Sequence, residues 1–259
     1  DRPVNTAILS RGSSMSTPLR LCSLAPRTVS FSATSLSLSS VGTPKTLPTP
    51  AQDHSFLTSL VRMLQLRHIS VSDMDNNCYL ICADGQGLLV DAADDAPAIL
   101  DMARKAGVKI TAVLTTHRHW DHVRALKEVL SETGATHYAS FLDSPAIPAE
   151  VDVELREGDS IKFAGLDLPI IILRGHTPGG AALVASIDGV TNLFVGDSLF
   201  PGGLGKTTSE GDFVRLYKDV TARIFDEFPD NTIVRPGHGK STTLGEERPK
   251  LGDWWERRW

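Results

Sequence analysis

An apolar, β-branched run, Ile110-Thr111-Ala112-Val113-Leu114-Thr115-Thr116, passes directly into His117-Arg118-His119-Trp120-Asp121-His122. The first segment has the composition of a buried strand, because β-branched side chains are stiff and pack well on a pleated surface. The second sets three imidazoles and a carboxylate within six residues. Together they demand a fold in which a buried strand delivers ligand-type side chains to a sheet edge, where they can converge on one cavity. Imidazole nitrogen and carboxylate oxygen are ligands that borderline metals such as zinc prefer. With eight histidines in 259 residues, so dense a cluster is read as a metal site. A polar loop of hydrogen-bonded histidines is the weaker reading.

Three further apolar runs end in the same manner. Pro169-Ile170-Ile171-Ile172-Leu173 leads into Arg174-Gly175-His176-Thr177-Pro178-Gly179-Gly180; Thr191-Asn192-Leu193-Phe194-Val195 leads into Gly196-Asp197-Ser198; and Thr232-Ile233-Val234 leads into Arg235-Pro236-Gly237-His238-Gly239. Each is a strand-like run followed by a Gly- or Pro-rich turn holding a ligand-type residue. Alone, any one of them reads equally as an ordinary turn or helix cap. Three in series after the cluster point to a shared site.

These motifs resemble those of the metallo-β-lactamase-fold hydrolases and, within them, the glyoxalase II-like (hydroxyacylglutathione hydrolase-like) thioesterases. The matching pieces are residues 116–122, 175–180, Gly-Asp-Ser-Leu-Phe at 196–200 and Pro-Gly-His-Gly at 236–239. Asp75-Asn76-Asn77-Cys78-Tyr79-Leu80-Ile81 is similar to that group's first hairpin. The resemblance covers residues 64–259 and implies an α/β fold, a four-layer αββα sandwich with the metals at one edge. It implies that His117, His119 and His176 hold a first divalent metal and that Asp121, His122 and His238 hold a second. Asp197 would bridge the two, and Asp121 and Asp197 would be the catalytic carboxylates. Zinc is the expected metal, with iron or manganese as alternatives. Two cations about 3.5–4 Å apart can acidify a shared water and polarise a carbonyl. A carboxylate bridge offsets the repulsion between dications, which neutral imidazoles cannot do.

No Gly-x-Ser-x-Gly elbow supplies a serine nucleophile. Cys22, Cys78 and Cys82 lack the spacing of a redox pair, and the last two read as small core residues. Metal-bound hydroxide is therefore the expected nucleophile, and a small-molecule thioester the expected substrate, since a thiolate of pKa about 8.5 leaves with little help from an acid. Lys206 follows Gly202-Gly203-Leu204-Gly205. A lysine beside so permissive a backbone suits a carboxylate ligand, and the resemblance makes Lys206 a substrate-binding residue; the alternative is a solvated loop lysine. Only 21 residues follow His238, which resembles the small bacterial members more than glyoxalase II with its helical C-terminal domain. Two other readings remain: a mononuclear iron persulfide dioxygenase of the same superfamily, and a non-catalytic binding module on the same fold.

Residues 2–52 contain no Asp or Glu but five basic residues, Arg2, Arg11, Arg20, Arg27 and Lys45, with Ser30, Ser32, Ser35, Ser37, Ser39 and Ser40 close together. That is the composition of an organelle transit peptide, so residues 1–53 are expected to be a disordered leader and linker. Plastid import is slightly favoured over mitochondrial; a cytoplasmic protein is the alternative if the leader is not translated. No apolar run in the sequence is long enough for a membrane span. Taking the five basic residues and Asp1 out of the formal net charge of −5 leaves −9 for residues 53–259. This argues against nucleic acid or an anionic membrane as partner. Oligomeric state is left open.

In the remaining pattern, Leu64–Val71 alternates as a strand and Asp84-Gly85 turns a hairpin. Pro97–Ala106 reads as a helix ended by Gly107, and Asp212 opens a helical segment through Phe228. His68, His137 and the C-terminal tryptophans are expected to serve packing.

Overall fold

The computed structural model describes residues 63–258, so the expected leader and linker over residues 1–53, and Cys22, lie outside the described residues. The described chain begins as a meander of β1 (Gln65–Val71), β2 (Asn76–Ala83) and β3 (Gln86–Val90). Asp84 and Gly85 both take positive φ at the β2–β3 turn, the backbone twist that suits a two-residue hairpin. Helix α1 (Ala96–Ala106) is capped by the Asp95 carboxylate, which accepts from the Ala98 N–H, and ends at Gly107, as expected. It crosses over to β4 (Lys109–Thr115); α2 (Leu126–Thr133), β5 (Thr136–Ser140) and β6 (Val153–Leu155) follow. These strands form a six-stranded sheet in chain order, antiparallel from β1 to β3 and parallel from β3 to β6.

The second sheet is built from β7 (Ser160–Phe163), β8 (Leu166–Leu173), β9 (Gly180–Ile187) and β10 (Val190–Gly196), followed by the small hairpin β11 (Leu199–Phe200) and β12 (Gly203–Leu204). Helix α3 (Glu210–Val220) then leads to β13 (Ile233–Pro236), β14 (Thr242–Thr243), α4 (Leu244–Glu247) and α5 (Leu251–Arg257). Strand order is β14-β13-β10-β9-β8-β7, with β10 and β13 parallel across the α3 connection.

The layers follow from the two-residue period of the strands. Tyr79, Ile81, Leu88, Val90, Leu114 and Phe194 point between the two sheets, where they meet Ile161, Phe163 and Leu183. Cys78, Leu80, Leu89 and Val113 point the other way, onto Ile99 and Met102 of α1 and Leu126 and Val129 of α2. Leu193, Val195 and Val234 pack outward against Leu216 and Val220 of α3 and Trp254 of α5. The fold is therefore the expected αββα sandwich. Because both faces of β2, β3 and β10 are apolar, a slip of one residue would still bury hydrophobic side chains. Turn geometry and polar strand ends must fix the register instead.

One helix boundary is corrected. Helix α3 is capped by Ser209, whose hydroxyl accepts from the Asp212 N–H, and Asp212 is its third residue rather than its opening. The Asp212 carboxylate reaches back to the Ser209 hydroxyl at 2.7 Å, a reciprocal capping arrangement that displaces the visible acid from the true start. Nor does α3 run unbroken to Phe228: a wider turn over Thr221–Phe225 follows it, closed by Asp226 N–H donating to the Thr221 carbonyl at 2.9 Å.

His68 stacks on Tyr79 at 4.8 Å between ring centroids. His137 is buried between Thr115 Oγ1 at 2.8 Å and the Glu150 carbonyl at 2.6 Å. Both are packing histidines. Burial pushes the Cys78 thiol up to about 12, which leaves it inert. Among the described residues no helix is long and apolar enough to cross a membrane.

Candidate metal centre

Four strands end at one edge of the sandwich, and each delivers ligand-type side chains there. Beyond β4 come His117, His119, Asp121 and His122, the last two on a single 3-10 turn; His176 follows β8, Asp197 follows β10 and His238 follows β13. Their ligand atoms form three overlapping groups, each within 4.8 Å: His117, His119 and His176; His117, His122 and Asp197; Asp121, His122 and His238. All seven side chains singled out as ligands in the sequence thus lie together.

The hydrogen bonds behind the rings fix which nitrogen faces the cluster. A carbonyl oxygen can only accept, so His176 donates from Nδ1 to the Lys206 carbonyl and His238 from Nδ1 to the Met74 carbonyl, both at 2.7 Å. His122 Nδ1 sits 2.9 Å from the Asp91 carboxylate. His117 Nδ1 lies 3.0 Å from Thr116 Oγ1, which passes its own proton to Asp91 at 2.8 Å. These four rings therefore turn Nε2 inward, the outer support that orients metal-bound imidazoles. His119 is the exception, turning Nδ1 toward His117 Nε2 at 3.1 Å.

The donor set fits cations. His122 Nε2 and His238 Nε2 stand 3.1 Å apart, a separation that calls for positive charge, a proton or a cation, at that point. His176 Nε2 and Asp197 Oδ1 are buried with no hydrogen-bond partner, although such atoms are normally satisfied. Electrostatics agrees. Burial opposes charge on His122, yet Asp91 and Asp197 overcome it and raise the ring to about 10. Burial likewise opposes an ionised Asp197, but the adjoining His122 and His238 rings hold it well below the usual carboxylate range. Burial, reinforced by His122, pushes His117 well down. The Asp121–Asp197 side calls for positive charge, and the His117 side offers an unprotonated ligand.

Several supporting residues were not singled out from the sequence. Asp91, buried at the end of β3, accepts from the Thr116 N–H at 2.7 Å besides its bonds to Thr116 Oγ1 and His122. Its signal was present: the run Gly87–Val90 ends in a ligand-type residue like the other four. Asn76 donates to Asp121 Oδ2 at 3.0 Å. Asn77 donates to the Pro236 and Gly239 carbonyls at 2.9 and 3.0 Å, clamping the turn that carries His238. Asp143, fully buried, accepts from the Arg118 and Gly179 N–H groups at 3.1 Å and ties the histidine cluster to the turn after His176. Gly237 is required by close approach, because a Cβ there would drive into Asp197 Oδ1 and His122 Cε1.

The Lys206 side chain is exposed, while its carbonyl holds His176. A cleft of about 610 Å³ opens beside His119 and His176, and its lining includes Arg118, Phe141, Arg174 and Arg215 but not Lys206.

Comparison with known proteins accords with this geometry. The sequence profile of the metallo-beta-lactamase superfamily matches residues 71–238. Hydroxyacylglutathione hydrolase GloC of Haemophilus influenzae is 28% identical over 206 residues, covering 71% of this chain and 95% of that protein. The hydroxyacylglutathione hydrolase of Gloeobacter violaceus is 38% identical over 161 residues, 62% of this chain and 60% of that longer protein. Among solved structures, ETHE1 from Myxococcus xanthus superposes with a TM-score of 0.64 at 27% identity, covering 73% of this chain and 85% of that one. TTHA1623, solved in a di-iron-bound form, superposes with a TM-score of 0.58 at 27% identity over 70% of this chain and 96% of that one. The profile match spans more than half of the sequence and includes all seven clustered side chains, and on that ground the chain belongs to the metallo-β-lactamase superfamily.

Proposed function

We propose that the protein is a dinuclear metal-dependent hydrolase acting on a small thioester, of the glyoxalase II type. The observation that carries this reading is the set of three overlapping ligand groups, in which His117 and His122 each belong to two. His117, His119 and His176 would hold one divalent cation; Asp121, His122 and His238 would hold the other, with Asp197 between them. Zinc is the expected metal, and the di-iron form of TTHA1623 keeps iron in play. Bound cations would supply an acidified water and polarise the carbonyl that it attacks.

The chain's own residues set up that chemistry. Asp91 and the Lys206 and Met74 carbonyls hold the imidazoles in the tautomer that offers Nε2. Asp121, held by Asn76, lies 3.2 Å from His238 Nε2, placed to orient a water by accepting its proton in a hydrogen bond. A thiolate leaving group needs no strong acid, consistent with a ligand cluster that offers none. The names of the Haemophilus and Gloeobacter relatives support hydroxyacylglutathione thioesters as first substrates to test. Lys206 is kept as a substrate contact through its exposed ammonium.

Metal-loaded protein is expected to hold about two equivalents of metal per chain and to cleave S-lactoylglutathione or a simple acyl thioester, with activity lost on chelation and regained on adding metal. A constant single equivalent would overturn the dinuclear reading. The likeness to ETHE1 supports a second reading, a mononuclear iron persulfide dioxygenase. Oxygen uptake with a persulfide, without thioester cleavage, would decide for it.

We place the protein in an organelle, with the plastid favoured, on the acid-free serine- and arginine-bearing stretch. A fusion of residues 15–60 to a fluorescent protein is expected to enter that organelle; diffuse cytosolic fluorescence would refute targeting and leave the catalytic reading intact.

A further inference from the structure

The cleft beside His119 and His176 gathers three arginines from separate parts of the chain: Arg118 from the turn after β4, Arg174 from the turn after β8 and Arg215 from α3. Arg118 and Arg215 are exposed, and neither has a carboxylate within 4.0 Å among the described residues. Arg174 is different. Its Nε and Nη2 donate at 2.8 Å to the two oxygens of buried Asp219, which fixes the guanidinium plane and leaves the Nη1 edge without a bond among the described residues.

Phe141, Leu142 and Pro178 supply an apolar wall, and the Arg156 guanidinium stacks 4.0 Å above the Phe141 ring. Asp212 also lines the cleft, but its carboxylate is committed to the Thr208 and Ser209 hydroxyls at 3.0 and 2.7 Å. With Asp212 and Asp219 each offsetting one arginine, the cleft keeps a positive excess, in a domain whose formal charge is strongly negative. Its volume, about 610 Å³, is that of a small-molecule site.

We propose that this cleft is an anion subsite that selects substrates carrying a carboxylate or phosphate on the part that does not react. Arg118 and Arg215 supply the charge, and Arg174 supplies an oriented donor. A guanidinium can grip either anion with two parallel N–H bonds. His119 and His176 lie in the same lining, so a group anchored there keeps its scissile end at the ligand cluster. The proposal deepens the hydrolase reading and rests on it for the bond that is cut, but its binding step can be judged separately.

The negative charge can sit on the thiol half or on the acyl half of the thioester. Metal-loaded wild type is therefore compared on acetyl-glutathione against acetyl-N-acetylcysteamine, and on succinyl- against butyryl-N-acetylcysteamine. A higher kcat/KM for the charged member of either pair is expected and locates the anion. In the R118Q/R215Q variant that preference is expected to fall about tenfold or more, mainly through KM. Binding of S-methylglutathione, compared with its dimethyl ester by calorimetry, is expected to show the same preference and the same loss. Equal treatment of charged and neutral compounds by wild type would overturn the subsite. So would a preference that R118Q/R215Q keeps and K206A alone abolishes. If wild type cleaves no thioester at all, the hydrolase reading falls, and the S-methylglutathione measurement still decides the subsite.

Discussion

Asp197→Ala is expected to lower kcat/KM on a thioester by about a thousandfold or more, beyond the 10- to 100-fold typical of an outer-shell partner of a metal, and to lower bound metal with it. The reason is its position between the two ligand groups. Its carboxylate lies 3.5 Å from His122 Nε2, 3.4 Å from His238 Nε2 and 3.6 Å from His176 Nε2, so it neighbours ligands proposed for both cations. Removing it leaves two dications with less compensating charge, and an imidazole cannot replace that charge. His176→Ala, which removes a ligand from one group only, is expected to do less harm. Asp197→Asn separates size from charge and should resemble the alanine variant if charge is what matters. Elemental analysis alongside steady-state kinetics checks this, and wild-type activity in Asp197→Ala would rule out the bridging role.

The sandwich and the edge where the seven side chains gather were legible because their signals are local. Each of the seven follows an apolar strand within three residues or sits in one hexapeptide, so neighbours in sequence remain neighbours in space. The residues that hold the ligands are legible only in part. Asp91 carries the same strand-end pattern but stands alone, and a single acid after a hairpin reads as a turn. Asn76 and Asn77 stand in a recognisable hairpin, but nothing local shows their role: they serve Asp121, 45 residues away, and the Pro236–Gly239 turn, about 160 residues away. Asp143 is similar, since its role exists only once β4 and β9 bring Arg118 and Gly179 to it. The start of α3 was displaced because the visible acid, Asp212, is the partner of the cap and not the cap. The arginine cleft escaped for the same reason as the asparagines: its cations come from two turns and a helix far apart in sequence, whereas Lys206 stands in a motif.

Asp91→Asn is expected to loosen metal on the His122 side by about 10- to 100-fold, with a matching fall in kcat/KM at limiting metal. Asp91 is wholly buried and accepts three hydrogen bonds, from the Thr116 N–H, the Thr116 hydroxyl and His122 Nδ1. A carboxylate can accept all three. His122 Nδ1 and the Thr116 hydroxyl share Oδ2, while the Thr116 N–H bonds Oδ1. An amide that turns its oxygen to His122 and the hydroxyl therefore points its NH2 at the Thr116 N–H, and the opposite rotamer points it at the other two, donor against donor either way. The His122 ring loses its charged support, and the buried clash with the Thr116 N–H loosens the strand end that carries His117. Asp91→Ala goes further, leaving three buried donors unpaired at about 1–3 kcal/mol each. That approaches the whole stability of a typical domain, about 5–15 kcal/mol, so the asparagine variant is the one to interpret. Competition against a chelator, with a urea midpoint for stability, separates the two effects. If Asp91→Asn binds both equivalents as tightly as wild type and turns over at the same rate, then His122 is oriented without the Asp91 charge, and Asp91 is a structural residue of that corner.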